Sequence, residues 1–253
     1  MHIANVAPRN EPPLSRRSAL AVACHQPNYF PWLGYFAKAA NADVFVFLDD
    51  VQLPQGRSYV HRTKIHSAPD GTWLSAPIRR DERQLIKDVL FAEGDWRRRH
   101  QATLFHTYRK APFFDPVMAL VEAIFAFEGN SLAQFNMRAI TMIAGFLGLS
   151  CRFEVSSAYG VTSSSDDRLI DLIKMVGGNT YISGAGGQNY QHPEKFAAAG
   201  LELRIREYAP RPYSQCQGGF VPGLSILDAL FNLGPSAAER LSYEHSEAVL
   251  SRG

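Results

Sequence analysis

One short segment of the chain concentrates side chains that can hydrogen-bond, stack or take up a proton. It runs from His25 to Tyr35, HQPNYFPWLGY, and combines a histidine, two amides and several aromatic rings around two prolines. An imidazole titrates near neutral pH, as a general base must, and aromatic rings stack on sugars and bases. The site residues predicted here are His25 as the catalytic base and Gln26, Asn28, Tyr29, Trp32, Gly34 and Tyr35 as substrate contacts.

This segment also has a purely structural interpretation. A connector stiffened by prolines would use its aromatic rings to plug the end of a sheet. Its position favours a functional role, because Trp32 to Tyr35 opens a predicted helix whose N–H groups and dipole suit a phosphate or a carboxylate. We therefore expect an anionic substrate at this corner.

A pair of adjacent carboxylates, Asp49 and Asp50, follows the second apolar run of the chain. Adjacent carboxylates repel, so the pKa of one is raised and it can act as a base or hold a metal. We predict both as catalytic residues, with Gln52 as a substrate contact beside them. The alternative is a solvated turn in which a carboxylate caps a backbone N–H group.

Basic and glycine-rich stretches offer further contacts for an anionic substrate. In Arg57 to Lys64, RSYVHRTK, the cations and His61 would clamp a diphosphate, and we predict Arg62 and Lys64 as substrate contacts. A basic strand facing solvent is the alternative. The GAGG run has neither GxGxxG spacing nor a Walker lysine, so it is a weak nucleotide signal. Its predicted contacts are Gly186, Gly187 and Tyr190.

The elements that must position these groups form a β-loop-α-β unit. Leu20 to Cys24 and Asp43 to Leu48 are short apolar runs typical of buried parallel strands, and Trp32 to Ala42 has helical spacing. Ligands of such units bind beyond the carboxyl ends of the strands. We therefore expect His25, Tyr29 and Tyr35 to line one pocket with Asp49 or Asp50.

Helical periodicity dominates much of the remaining chain. It covers parts of 95–149, the stretch from Ser163 to Gly178, and Gly223 to Gly234, GLSILDALFNLG, which is either buried core or a docking face. The predicted fold is α/β, with a Rossmann-like, partly parallel sheet at the N-terminal side and a helical C-terminal part. Its predicted divisions are a disordered tail over 1–19, an α/β domain over 20–234 and a helical tail over 235–253.

Composition narrows the possible partners. The chain has 253 residues, with 26 Lys and Arg against 24 Asp and Glu, so no overall charge attracts nucleic acid or an acidic membrane. Its three cysteines are dispersed and read as reduced thiols, and no histidine or cysteine spacing indicates a metal site. With no apolar run long enough for a signal peptide or a bilayer span, we expect a cytoplasmic protein without membrane insertion.

Four motifs in order resemble the WbqC-like family of bacterial surface-polysaccharide gene clusters: HQPNYFPWLGYF, DVFVFLDDVQ, YISG with GGQNY, and FVPGLSILDALFNLG. The resemblance spans His25 to Gly234. It implies a role in O-antigen or lipopolysaccharide biosynthesis, with transfer of a glycyl or other acyl group to an amino sugar or sugar nucleotide. The positions it marks are His25, Gln26, Pro27, Tyr29, Pro31, Trp32, Gly34, Tyr35, Asp49, Asp50 and Gln52.

Several functions remain open at this point. The first is an acyltransferase or another amide-forming transferase, for which ATP and acyl-CoA are both possible cofactors. The second is a protein that binds a nucleotide sugar or glycan precursor without turnover. The third is an adenylate-forming ligase like the nucleotidylyltransferases, although Trp32 and Tyr35 replace both histidines of their HxGH motif. The oligomeric state is not indicated.

Overall fold

A parallel sheet of five strands forms the centre of the protein. The computed structural model describes residues 19–56 and 58–243, apart from the side chains at 188 and 189. Most of the predicted N-terminal tail, Arg57 and the last part of the C-terminal tail lie outside the described residues. The strands are β1 (Ala21–His25), β2 (Val44–Phe47), β3 (Arg62–Ile65), β4 (Thr72–Ser75), β5 (Ile78–Arg79), β6 (Leu90–Phe91), β7 (Arg152–Val155), β8 (Thr180–Gly184) and β9 (Glu202–Arg206). The helices are α1 (Leu33–Ala40), α2 (Trp96–Tyr108), α3 (Phe114–Phe125), α4 (Leu132–Phe146), α5 (Ser165–Met175), α6 (Pro193–Ala198) and α7 (Ile226–Leu233).

The order of strands in the central sheet is β7-β2-β1-β8-β9, and every pairing is parallel. The chain builds outward from β1 to β2 and β7, and then returns to add β8 and β9 on the other side. This reversal is the topology of doubly wound, Rossmann-like α/β proteins. The predicted fold class is therefore confirmed, as is the parallel pairing of the first two apolar runs, in which Val22 pairs with Val44.

Alternate side chains of the sheet enter two separate hydrophobic cores. Val22 and Cys24 in β1 face α5 and α6, where Ile173 and Phe196 are fully buried. Ala23 belongs to the larger core on the opposite face, with α1 and the helices α2 to α4. Because both faces are covered, the central strands are apolar throughout rather than alternating.

The main helical block lies in the middle of the chain, between β2 and β7, rather than at its C-terminal end. It comprises α2, α3 and α4, and it packs on the larger core. The sheet thus takes strands from both halves of the sequence and is parallel throughout, not only in part. Sequence periodicity located the helices, but it carried no information on which strands would pair around them.

Helix α7 is core rather than a docking face. Seven of its eight residues are buried, and its N-cap Ser225 accepts a hydrogen bond from the N–H of Leu227 at 3.3 Å. Over the described ranges, no helix is long and apolar enough to cross a bilayer.

A buried amide ties the proline-containing loop after β1 to the helical block. Asn136 of α4 is fully buried and donates from Nδ2 to the carbonyls of Pro27 and Val60, at 2.8 and 2.7 Å. An unpaired buried carbonyl costs about 1–3 kcal/mol. This amide therefore fixes the loop to the helical block.

We expect Asn136→Ala to lower the free energy of unfolding by about 2–4 kcal/mol, because it leaves two buried carbonyls without a donor. Urea denaturation measures the change. Gln134→Ala is the matched control, since Gln134 is exposed on the same helix. A loss in Asn136→Ala no larger than the control's would contradict the anchoring role.

Candidate functional site

The winding of the sheet reverses between β1 and β8, and the carboxyl ends of these strands open one crevice. β1 ends at His25 and β8 at Gly184, and the register that pairs Ala23 with Ile182 brings these ends level. Doubly wound proteins bind their ligands at such a switch point. The histidine and the glycine-rich turn, predicted separately from sequence, thus meet at one place.

His25 is held in one orientation at this crevice. Its ring packs against Tyr35 with centroids 4.8 Å apart, and its Nδ1 lies 3.1 Å from the carbonyl oxygen of Gln26. The Tyr35 hydroxyl donates to the same carbonyl at 3.0 Å. A carbonyl only accepts, so Nδ1 carries the proton, and Nε2 is left with its lone pair for a ligand.

The imidazole of His25 is neutral, although part of the residue reaches solvent. Burial lowers its pKa to about 3, and the nearby Lys38 ammonium adds to the effect. The expectation that His25 titrates in the working range of a general base is therefore wrong. The prediction used only the polarity of the segment from His25 to Tyr35. The pKa of His25 is set by its burial in the folded protein and by Lys38 of α1.

Lys38 is the charged group of the crevice that sequence reasoning missed. It lies on α1, is 9% exposed, and forms no hydrogen bond or ion pair within the described part of the chain. Its Nζ would be 3.7 Å from a Cβ placed on Gly184. Side chains of a helix point back toward its N-terminus, so this ammonium is directed toward the mouth of the crevice.

Burial lowers the pKa of Lys38 to about 8, although the nearby Cys24 opposes this shift. A buried lysine whose pKa approaches neutrality is typical of catalytic bases and nucleophiles. The signal available in the sequence was one lysine in an otherwise uncharged helix, LGYFAKAA. That pattern usually indicates a side chain that reaches out to solvent.

The glycine-rich turn after β8 forms the other wall. Gly187 is buried, and a Cβ there would overlap Ser183 Oγ and Gln191 Oε1, so close backbone approach requires glycine. Gln191 is buried too, and its Oε1 has no partner among the described residues. Gly186 and Tyr190 are exposed beside it. The turn therefore brings both buried and accessible groups to the crevice.

Asp49 and Asp50 follow β2, and both carboxylates accept hydrogen bonds from the loop after β7. Asp49 accepts hydrogen bonds from Ser157 N and Oγ, at 3.0 and 2.7 Å, and from Ser156 Oγ at 3.1 Å. Asp50 accepts from Ser156 and pairs with Arg168 at 2.5 Å. Burial would raise the pKa of Asp50, but these donors outweigh it and lower the pKa. These contacts support a structural role for both carboxylates, as in the alternative of a capped turn.

Tyr29 and Asn28 lie on the buried side of the loop, away from the mouth of the crevice. The Tyr29 hydroxyl is 2.7 Å from His100 Nδ1, and its ring stacks on Phe135 in the larger core. Phe30 adopts a positive φ of 41°, which turns both rings inward. The prediction that Tyr29 lines a pocket with His25 is wrong, because tertiary packing drew this half of the segment into the core.

Trp32 lies against the first turn of α1. A Cβ on Gly34 would overlap its indole, and the same ring contacts Tyr208 edge-on at 5.4 Å. The helix start that we expected to receive an anion is thus covered by a side chain of its own chain. Gly34 serves the close approach of Trp32.

The predicted diphosphate clamp lies on a separate β3–β4 hairpin. The Arg62 guanidinium stacks on Trp73 at 3.9 Å, and Lys64 pairs across the hairpin with the same residue. Gln52 is exposed and forms an isolated bridge with Leu85. None of the three forms a hydrogen bond or ion pair with His25 or Lys38 in the described chain. In the same ranges, no group of three or more His, Cys, Asp or Glu side chains is arranged to hold a metal ion.

A model of the WbqC-like protein family matches residues 26–240, most of the chain. The chain belongs to the WbqC-like family. The matched range contains Lys38, both carboxylates of β2 and the glycine-rich turn. The predicted family is therefore confirmed, and the switch-point crevice lies almost entirely within the family's region.

This WbqC-like protein is 31% identical over 226 residues to a relative named "Uncharacterized protein Rv1507c" from Mycobacterium tuberculosis (strain ATCC 25618 / H37Rv). The alignment covers 88% of this chain and 97% of that relative, so it spans almost the whole of the relative. No solved structure matches the chain.

We expect Lys38→Met to raise the free energy of unfolding at pH 7 by about 3 kcal/mol, since the pKa falls from 10.5 to about 8 on folding. Between these pH values the unfolded chain binds more protons, so wild-type stability rises with pH. The variant's advantage should shrink through this window and disappear above it. Urea denaturation at pH 7 and pH 10 measures both.

Lys174→Met is the matched control, because Lys174 is exposed on α5 and its loss removes no buried charge. Its effect on stability should be small and independent of pH. A Lys38→Met protein that is less stable than wild type at pH 7 would show that the lysine is paired and not merely buried.

Proposed function

We propose that this WbqC-like protein is an enzyme that transfers an acyl group, with glycyl as the simplest case, to the amino group of an amino sugar or sugar nucleotide. The single observation that carries the proposal is the buried Lys38, with a pKa of about 8, at the switch-point crevice. The family resemblance supplies the context of surface-polysaccharide biosynthesis. The reaction is placed in the cytoplasm, where nucleotide sugars are made.

Lys38 would act as the base that prepares the acceptor. An amino sugar is mainly an ammonium ion at neutral pH, and only the free amine attacks an acyl carbon. At pH 7 about 10% of a lysine with a pKa of 8 is neutral and able to take a proton. The new C–N bond forms as the bond to the donor's leaving group breaks, and the amine's proton passes to Lys38.

His25 would orient the acceptor rather than deprotonate it. Its low pKa makes it a weak base, while Nε2 is free to accept a hydrogen bond from a substrate hydroxyl or amine. Gln26 and the turn around Gly187 flank it and would contact the sugar nucleotide. The sequence predicted His25 as the catalytic base, and the role proposed here is to position the acceptor.

One observation favours binding without turnover as the second candidate. Most Lys38 side chains are protonated at pH 7 and lack a carboxylate partner in the described chain, which also suits a plain anion site. Nothing favours the adenylate-forming alternative, because Trp32 and Tyr35, at the histidine positions of HxGH, are both packed against neighbours.

The two candidates separate in one series of measurements on the full chain. Thermal shifts with ATP, acyl-CoA and nucleotide amino sugars identify the ligands, because a ligand of the native state raises its stability. Mass spectrometry then follows acylation of a nucleotide amino sugar with each activated donor. We expect kcat/KM to rise with pH and level off above about pH 8, as Lys38 becomes neutral.

Lys38→Met should lower kcat by about 10²–10⁴-fold and leave sugar-nucleotide binding measurable, as expected for loss of a general base. His25→Ala should mainly raise KM. Lys174→Met controls for loss of a surface charge. If the wild type binds a sugar nucleotide but forms no product with any donor, and Lys38→Met loses this binding, the acyltransferase proposal is wrong. The protein would then be one that binds its ligand without turnover.

A further inference from the structure

The last sequence motif, FVPGLSILDALFNLG over residues 220–234, contributes no residue to the switch-point crevice. It runs from the loop after β9 to the end of α7. Its first residues line a separate cavity of about 540 Å³, between that loop and the β3–β4 turn. The volume is in the range of small-molecule sites.

A buried polar network stands behind this cavity. The fully buried Asp228 accepts hydrogen bonds from the Tyr108 hydroxyl at 2.9 Å, the Tyr213 hydroxyl at 2.7 Å and Gln215 Nε2 at 2.9 Å. Burial raises the pKa of Asp228, although these donors and the nearby His66 oppose the rise. Such a network is expensive unless every partner is in place, so it fixes α2, α7 and the loop in one arrangement.

His66 connects the network to the cavity. It is 2% exposed, lines the cavity, and donates from its backbone N–H to the Tyr108 hydroxyl at 3.2 Å. Its Nδ1 is buried without a partner in the described residues. Buried ring nitrogens are nearly always satisfied in proteins, so an unpaired one next to the wall of a cavity is unusual.

The lining of the cavity combines polar groups with apolar surface. It offers the Phe220 ring, which the Tyr213 ring meets edge-on at 5.3 Å, together with aliphatic surface from Pro69 and Val221. Ser67 adds a hydroxyl, and Gln217, whose Nε2 donates to the carbonyl oxygen of Thr107, adds its amide oxygen as an acceptor. No lysine, arginine, aspartate or glutamate contributes to the lining. A phosphate or carboxylate ligand would therefore find no ammonium or guanidinium group to pair with here.

We propose that this cavity binds an uncharged, hydroxyl-bearing ring, a pyranose unit of a glycan or glycoside. The apolar face of the ring packs on Phe220, and its hydroxyls pair with the side chains of Ser67 and Gln217. The cavity shares no lining residue with the crevice of Lys38. The site therefore stands whether or not the acyl-transfer proposal is correct.

Saturation-transfer NMR and calorimetry on the full chain test this site, with the methyl pyranosides of glucose, galactose and mannose, and with maltose, as probes. We expect the ring protons of at least one probe to receive saturation from the wild-type protein. Phe220→Ala should weaken its binding by about tenfold or more, and Gln217→Ala, at an exposed position, should weaken it without loss of fold.

Two controls locate the effect. Phe127→Ala removes another half-buried phenyl ring, which packs near Phe135 in the larger core, and Lys38→Met changes the crevice. Both should bind the probe as the wild type does. The proposal is overturned if no probe binds the wild type, if Phe220→Ala and Gln217→Ala bind normally, if Lys38→Met alone abolishes binding, or if only inorganic phosphate or an alkylammonium probe occupies the cavity.

Discussion

The parallel pairing of β1 with both β2 and β8 is the constraint on which the rest of the structure depends. The chain adds β2 and β7 on one side of β1 and then β8 and β9 on the other, so its right-handed crossovers cover the sheet on both faces. The same reversal leaves a gap where the two crossovers part. The loop after His25 and the turn after Gly184 lie on either side of that gap, and α1 supplies its floor. The order of the strands thus determines both the fold and the position of the candidate site.

The burial of Lys38 gives this gap its chemistry at an energetic cost. A largely buried lysine, with no carboxylate beside it in the described chain and with its pKa lowered by burial, destabilises the native state at neutral pH, and a methionine of similar length would not. Retaining such a group is understandable where function needs a neutral amine or an unpaired cation. The carboxylates Asp49 and Asp50 illustrate the opposite case. Both accept hydrogen bonds from the loop after β7, and those of Asp50, together with its Arg168 ion pair, lower its pKa, which leaves little capacity for a substrate.

The fold could be predicted from sequence because its signals are local. The run DVFVFL has the apolar, aromatic and β-branched composition of a buried strand, and its order after a loop and helix implied the parallel unit. Site roles depended on contacts between distant parts of the chain. Ser156 and Ser157 reach Asp49 from more than a hundred residues away, and Tyr29 found its partner in α2. Lys38 was missed because only the return of β8 beside β1 encloses it.

The most direct test of the account is the pKa of Lys38 itself. Carbon-13 labelling of the lysine side chains allows each ammonium to be followed by NMR from pH 6 to pH 11, and the Lys38→Met variant assigns the resonance. The account predicts one lysine that titrates near pH 8, with a resonance that moves when a sugar nucleotide is added. If Lys38 titrates with the surface lysines near 10.4, it is solvated or paired, and the crevice has no group poised for proton transfer.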